Sequence, residues 1–229
     1  LYMIKLTYLG QSCFHLNTQG FNLIFDPMIS TNPLASKIDI SALKADYIML
    51  SHGHGDHVAD AETLSLQNNA KIISNFEVVS WYEQKGISGH PMNLGGKYKF
   101  DFGTVKYVQA VHSSMLPDGS YGGASGGFVI WNEEKSFYFA GDTALTLDMK
   151  IIPMICPTLD FAILPIGDNF TMGYEDAVIA AEFIQCDKII GCHYDTFGYI
   201  KIDHEAAIRE FKNAGKELIL LDIGQSIDI

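Results

Sequence analysis

The chain opens on alternating apolar and polar positions. Ile4-Lys5-Leu6-Thr7-Tyr8 and Cys13-Phe14-His15-Leu16 predict two strands broken apart at Gly10, and Leu23-Ile24-Phe25 is a short apolar run closing at Asp26-Pro27. Residues 28–44, with Pro33 and several Ser, Thr and Asn, predict an irregular loop. Tyr47-Ile48-Met49-Leu50 is apolar throughout and too short for a helix, as expected of a strand buried on both faces. A helix is predicted over 58–67, with Asp60 and Glu62 in its first turn where the macrodipole favours acids. A strand at 71–73 and a helix at 76–84 follow. Antiparallel strands are then expected at 98–102, 105–111, 127–131 and 137–140. The last third alternates: strand 160–166, helix 174–184, strand 188–192, helix 203–213 and strand 217–221. The glycine-rich stretch 119–127 lacks the Lys-Ser/Thr of a phosphate-binding loop and predicts a flexible turn. This order implies a mixed α/β (α+β) fold of two facing mixed sheets with helices outside, forming one domain over 1–229.

Composition narrows the partners. With 229 residues, 48% hydrophobic and 18% charged, the chain can bury a sizeable core. Its 27 acidic residues against 15 basic ones give a net charge of −12, a surface that repels phosphate backbones, so no nucleic-acid partner is expected. No apolar run approaches the ~20 residues of a membrane span. Cys13, Cys156, Cys186 and Cys192 form no close-spaced pair, so neither a zinc-finger nor a redox motif is present, and four free thiols fit a reducing cytoplasm. The segment before Leu9 has no signal-peptide pattern, and Leu1 points to a start upstream or at Met3. A cytoplasmic location is expected.

The chemistry concentrates in Leu50-Ser51-His52-Gly53-His54-Gly55-Asp56-His57, directly after the strand at 47–50. Three imidazoles and a carboxylate so close together are costly as ordinary structure, because buried polar groups need partners. They suit ligation of divalent ions, and α/β sheets place ligands at the carboxyl ends of strands. One short loop cannot encircle two ions. Further ligands are expected where a strand ends on His or Asp: His112, Asp142 (with Gly141 allowing a tight turn) and His193.

An Asp ending an early strand, the His-x-His-x-Asp-His loop, then a lone His, Asp and His in that order resembles the metallo-β-lactamase superfamily. The match runs through Asp26, residues 52–57, His112, Asp142 and His193. The resemblance implies a four-layer αββα sandwich with a dinuclear centre. In it, His52, His54 and His112 would hold one ion, and Asp56, His57 and His193 the other. Asp142 would bridge the two, and Asp26 would brace the motif loop without touching either ion. The opening Thr7-Tyr8-Leu9-Gly10-Gln11-Ser12-Cys13-Phe14 and the segment Ile166-Gly167-Asp168-Asn169-Phe170-Thr171-Met172-Gly173 look most like bacterial metal-dependent hydrolases near ascorbate-6-phosphate lactonase.

The expected function is hydrolysis of a small ester or lactone. Two divalent ions, Zn²⁺ or Mn²⁺ first and iron or nickel next, would share a water and lower its pKa towards neutrality. Asp56 would orient the nucleophile or take its proton. A phosphodiesterase with the same centre is the alternative, and a non-catalytic metal sensor or scaffold the alternative of another class. Asn169, Thr171, Tyr194 and Thr196 lie beside predicted strand ends and are candidate substrate contacts. His15, His90 (in a loop before Pro91) and His204 (after the candidate helix cap Asp203) read as structural. Strand alternation turns Cys192 away from the site.

Overall fold

The computed structural model describes residues 4–229; the candidate start at Met3 lies outside the described residues. The first sheet carries β1 (Lys5–Gly10), β2 (Cys13–Thr18), β3 (Phe21–Phe25), β4 (Tyr47–Met49), β5 (Lys71–Asn75) and β6 (Gly89–Met92). The second carries β7 (Lys97–Phe100), β8 (Gly103–Gln109), β9 (Gly126–Trp131), β10 (Ser136–Phe139), β11 (Phe161–Pro165), β12 (Lys188–Cys192) and β13 (Glu217–Ile219). A last strand, β14 (Ser226–Asp228), returns to the first sheet beside β1.

Among the described residues each sheet has seven strands and the same plan. Pairing is antiparallel through β14-β1-β2-β3 and parallel from β3 to β6; it is antiparallel through β7-β8-β9-β10 and parallel from β10 to β13. The sheets bury aromatic side chains against each other: Phe25 meets Phe139 at 4.8 Å and Phe137 at 6.2 Å between ring centroids. Each such ring contributes roughly 1.5–3 kcal/mol by leaving water. Helices α1 (Gly55–Val58), α2 (Ala61–Asn68) and α3 (Phe76–Glu83) cover the outer face of the first sheet. The outer face of the second lies beneath α4 (Ile152–Ile155), α5 (Tyr174–Phe183) and α6 (His204–Asn213). The αββα sandwich is therefore the observed architecture.

Several local expectations are corrected. The single helix at 58–67 is two, because the Asp60 carboxylate is buried and accepts from the Ile29 and Ser30 amides and the Ser30 hydroxyl. Those bonds tie the helix junction to the 28–44 loop, so Asp60 stands between two helices and not in the first turn of one. His90-Pro91 sits in β6 and not in a loop; β6 ends its sheet, where a proline costs no ladder bond. The glycine-rich stretch is tethered: Asn75 Nδ2 donates to the Gly122 and Ala124 carbonyls at 2.7 and 3.1 Å, and Ser114 Oγ donates to Gly122 at 2.7 Å. His15 is half-buried against Asn22, 3.2 Å away, and Asp203 caps α6 by accepting from Ala206 N at 3.0 Å. Cys192 is buried between the sheets.

Candidate metal centre

Every candidate ligand, and Asp26 behind them, follows the carboxyl end of a strand. Asp26 follows β3 and Asp142 follows β10 after a Gly141 turn; both strands mark the switch from antiparallel to parallel pairing in their sheet. The 52–57 loop follows β4, His112 comes three residues after β8, and His193 caps β12. The backbone there is strained. Asp26 (φ 40°), His193 (φ 56°) and Gln11 (φ 55°) all adopt the left-handed region that side chains avoid. Gly141 (φ 62°) needs to be glycine twice over, since a Cβ would also lie 2.5 Å from Ser51 Cβ.

The side chains form two adjoining clusters. One atom from each of His52, His54 and His112 lies within 4.8 Å of the others, and the same holds for Asp56, His57, Asp142 and His193. Asp142 Oδ2 stands between them, 3.0 Å from His193 Nε2, 3.2 Å from His57 Nε2 and 3.5 Å from His112 Nε2. His57 Nε2 also lies 3.3 Å from Asp56 Oδ2. Yet His57 Nε2 and Asp142 Oδ1 are fully buried and have no hydrogen-bond partner. Polar atoms that converge in a buried space without bonding one another suit a cation held among them, so this donor set fits divalent ions.

Hydrogen bonds behind the site set which ring nitrogen is free. Asp26 is wholly buried and accepts from Ser51 N (2.7 Å), Ser51 Oγ (2.6 Å) and His57 Nδ1 (2.8 Å). Ser51 Oγ, its proton given to Asp26, accepts from His52 Nδ1 at 2.9 Å. One carboxylate thus sets which ring nitrogen is presented by two histidines, one in each cluster: His57 Nε2, which has no partner, and His52 Nε2, 2.9 Å from His54 Nδ1.

Residues 5–193 match the family model described as the beta-lactamase superfamily domain. The chain belongs to the metallo-β-lactamase superfamily. It is 58% identical over 227 residues to a member named UPF0173 metal-dependent hydrolase from Christiangramia forsetii, covering 99% of this chain and 100% of that one. A protein of the same name from Methylacidiphilum infernorum is 48% identical over 225 residues, 98% of this chain and 99% of that one. Among solved structures, Igni18, a metallo hydrolase from Ignicoccus hospitalis, superposes with a TM-score of 0.90 at 31% identity, covering 99% and 98% of the two chains.

Electrostatics divide the two clusters of this metallo-β-lactamase-fold site. Burial, and for His52 and His54 the neighbouring His57, holds the pKa of His52, His54 and His112 down, so these rings are neutral. Burial also opposes charge at His57 and His193, but Asp142 and Asp56 outweigh it: His57 is raised well above the usual imidazole range and His193 is pushed up to about 9. Burial alone would raise Asp142 and Asp56, and the adjacent His57 and His193 hold both well below the usual carboxylate range.

Three supporting residues escape a reading of the sequence. Ser51 is one. Tyr107 is another, its hydroxyl donating to Ser51 O at 2.7 Å. Gln11 donates from Nε2 to Asp56 Oδ2 at 3.0 Å while its carbonyl accepts from His193 N at 2.9 Å, so a single turn positions one group in each sheet. The signal for Gln11 was its place in the turn between two strands, beside Gly10. Of the four candidate substrate contacts, only Thr196 lines the cavity at the site, a space of about 800 Å³ bounded by His54, Asp56, His112, Asp142 and His193 on one side. Tyr194 is buried against Tyr8 and His204, Thr171 Oγ1 bonds the Met172 carbonyl, and Asn169 is exposed in a turn.

Asp26→Asn tests the bracing role in this superfamily member. The substitution keeps the shape but replaces one acceptor oxygen with a donor, opposing either Ser51 or His57. The expected result is a folded protein with metal affinity or turnover reduced about 10–100-fold. Titration with Zn²⁺ beside far-UV circular dichroism measures it, and unchanged affinity would remove Asp26 from the role.

Proposed function

We propose that this metal-dependent hydrolase cleaves a small ester or lactone and that seven side chains hold two divalent ions for the purpose: His52, His54 and His112 on one, Asp56, His57 and His193 on the other, Asp142 between. The observation that carries the reading is the position of Asp142 Oδ2, within 3.0–3.5 Å of imidazoles from both clusters. The chemistry divalent ions supply at such a site is acidification of water and polarisation of a carbonyl.

The chain's own groups have distinct tasks. Asp56 is a quarter exposed at the cavity, and Gln11 fixes its orientation. Held ionised by His57 and His193, it accepts a hydrogen bond from an attacking water and orients it. His54 and His112 face the cavity and border the reacting carbonyl. Among the described residues no Lys or Arg lines the cavity. A phosphodiester, charged before reaction begins, would meet no cation there beyond the proposed ions, whereas a neutral carbonyl needs none beyond them.

Turnover of a lactone and small-ester panel beside bis-p-nitrophenyl phosphate, by metal-loaded protein, tests the reading. Preferential lactone or ester hydrolysis is expected. Turnover of the phosphodiester alone would replace it with the phosphodiesterase, and no turnover on a confirmed loaded protein would leave the sensor.

A further inference from the structure

Besides imidazoles and carboxylates, the cavity is lined by three aromatic rings, Phe170, Phe197 and Tyr199. Phe170 is 51% exposed and Tyr199 is 79% exposed, yet they meet edge-on at 6.3 Å between centroids. Apolar rings left this open to water at the mouth of a cavity mark a surface made to be covered.

Both loops that present them are fixed. Asp168 and Asn169 take left-handed φ values of 60° and 57°, and Phe170 N donates back to Asp168 O at 2.6 Å. Met172 N donates to Thr143 O at 3.1 Å, which ties that turn to the residue after Asp142. In the second loop Asp195 N donates to Ile200 O at 2.8 Å, and the Asp195 carboxylate accepts from Ile202 N at 3.1 Å and pairs with His204 Nε2 at 2.6 Å. Gly167 lets the two loops meet, since a Cβ there would fall 2.0 Å from the His193 carbonyl oxygen. A wall held this way loses little conformational freedom when a ligand covers it.

Charge sharpens the picture. None of the 15 Lys and Arg residues lines the cavity, and the chain carries a net −12. Cations at the metal centre would serve the reacting group, but an anionic substituent elsewhere in the cavity would meet only rings, a glycine and the hydroxyls of Ser113, Thr196 and Tyr199, with no cation.

We propose that Phe170, Phe197 and Tyr199 bind the non-reacting part of the substrate and that this part is uncharged and apolar, an aryl or branched alkyl group. The proposal rests on the ester or lactone reading for the reacting bond. It departs from a phosphorylated lactone, whose phosphate would find no cationic side chain here.

The test uses the full-length, metal-loaded chain and three lactones: γ-butyrolactone, its γ-phenyl derivative and its γ-(4-carboxyphenyl) derivative. The γ-phenyl compound should exceed both others in kcat/KM by about 10-fold or more, the scale on which hydrophobic pockets discriminate. Tyr199→Ala and Phe170→Ala should each shrink that preference, chiefly through KM, and Tyr199→Lys should shift it towards the carboxylate. Binding of γ-phenyl-γ-butyrolactam and its carboxyphenyl analogue, followed by saturation-transfer NMR, reads the same preference without turnover. Equal or better handling of the carboxyphenyl compounds, or no gain from the phenyl group in either measurement, overturns the proposal. Preferred binding of the phenyl lactam with no lactone or ester hydrolysed would uphold the aromatic wall and remove the ester or lactone reading instead.

Discussion

Asp142→Asn is expected to fold, to keep at most one tightly bound ion and to lose about 1,000-fold in turnover. The substitution preserves volume in a buried position, so packing around Gly141 and Thr143 is undisturbed. What disappears is a negative charge beside three imidazoles, in the space where two cations would face each other. A unit-charge pair ~4 Å apart in an effective dielectric of about 20 is worth on the order of 4 kcal/mol, and 1.4 kcal/mol is a factor of ten. The change would also leave His57 and His193 with less to offset their burial, since Asp142 is the chief group holding their protons in the metal-free chain. Metal-to-protein ratios by elemental analysis and steady-state turnover decide it. Two ions and near-full activity in the variant would end the bridging assignment.

Removing the metal should abolish hydrolysis altogether. Chelator treatment followed by buffer exchange is expected to bring activity to background, and Zn²⁺ or Mn²⁺ to restore it. Metal affinity should also fall as pH drops, starting near 9 where His193 takes up its proton, because an imidazole must give up its proton to ligate. The demand is steeper at His57 and His193, whose neighbouring carboxylates favour the protonated ring, than at His52, His54 and His112, which burial already keeps neutral. Full activity in excess chelator, with metal absence confirmed by elemental analysis, would refute a metal-dependent mechanism.

The parts of this fold that could be read from the chain are those whose signal is local. Apolar runs such as Tyr47–Leu50 and Lys188–Cys192 have the length of strands, and His or Asp directly after them stands where turns present side chains to a shared pocket. That geometry picks out the 52–57 loop, His112, Asp142 and His193, and the family resemblance adds Asp26. What stayed hidden depends on contacts between distant segments. The break between α1 and α2 is made by Asp60 reaching the Ile29 and Ser30 amides, which helical spacing cannot reveal. β14 is three residues without a clear alternation and exists because β1 offers it an edge. The cavity's aromatic wall comes from two loops about thirty residues apart, each unremarked alone. Asn169, Thr171 and Tyr194 lie near strand ends in sequence, but the turn at Asp168-Asn169 sends Phe170 to the cavity instead.

Neither cluster belongs to one sheet. His52 and His54 come from the first and His112 from the second; Asp56 and His57 come from the first, Asp142 and His193 from the second. The two sheets must dock before either group of donors exists, and an unfolded chain offers only the short run 52–57. An ion seated in either cluster would fasten the halves of the sandwich together at that end, a cross-link the four unpaired thiols do not provide. Binding to the native chain alone would then draw on the same free energy that keeps it folded, and resistance to heat and to proteases would rise with the supply of metal.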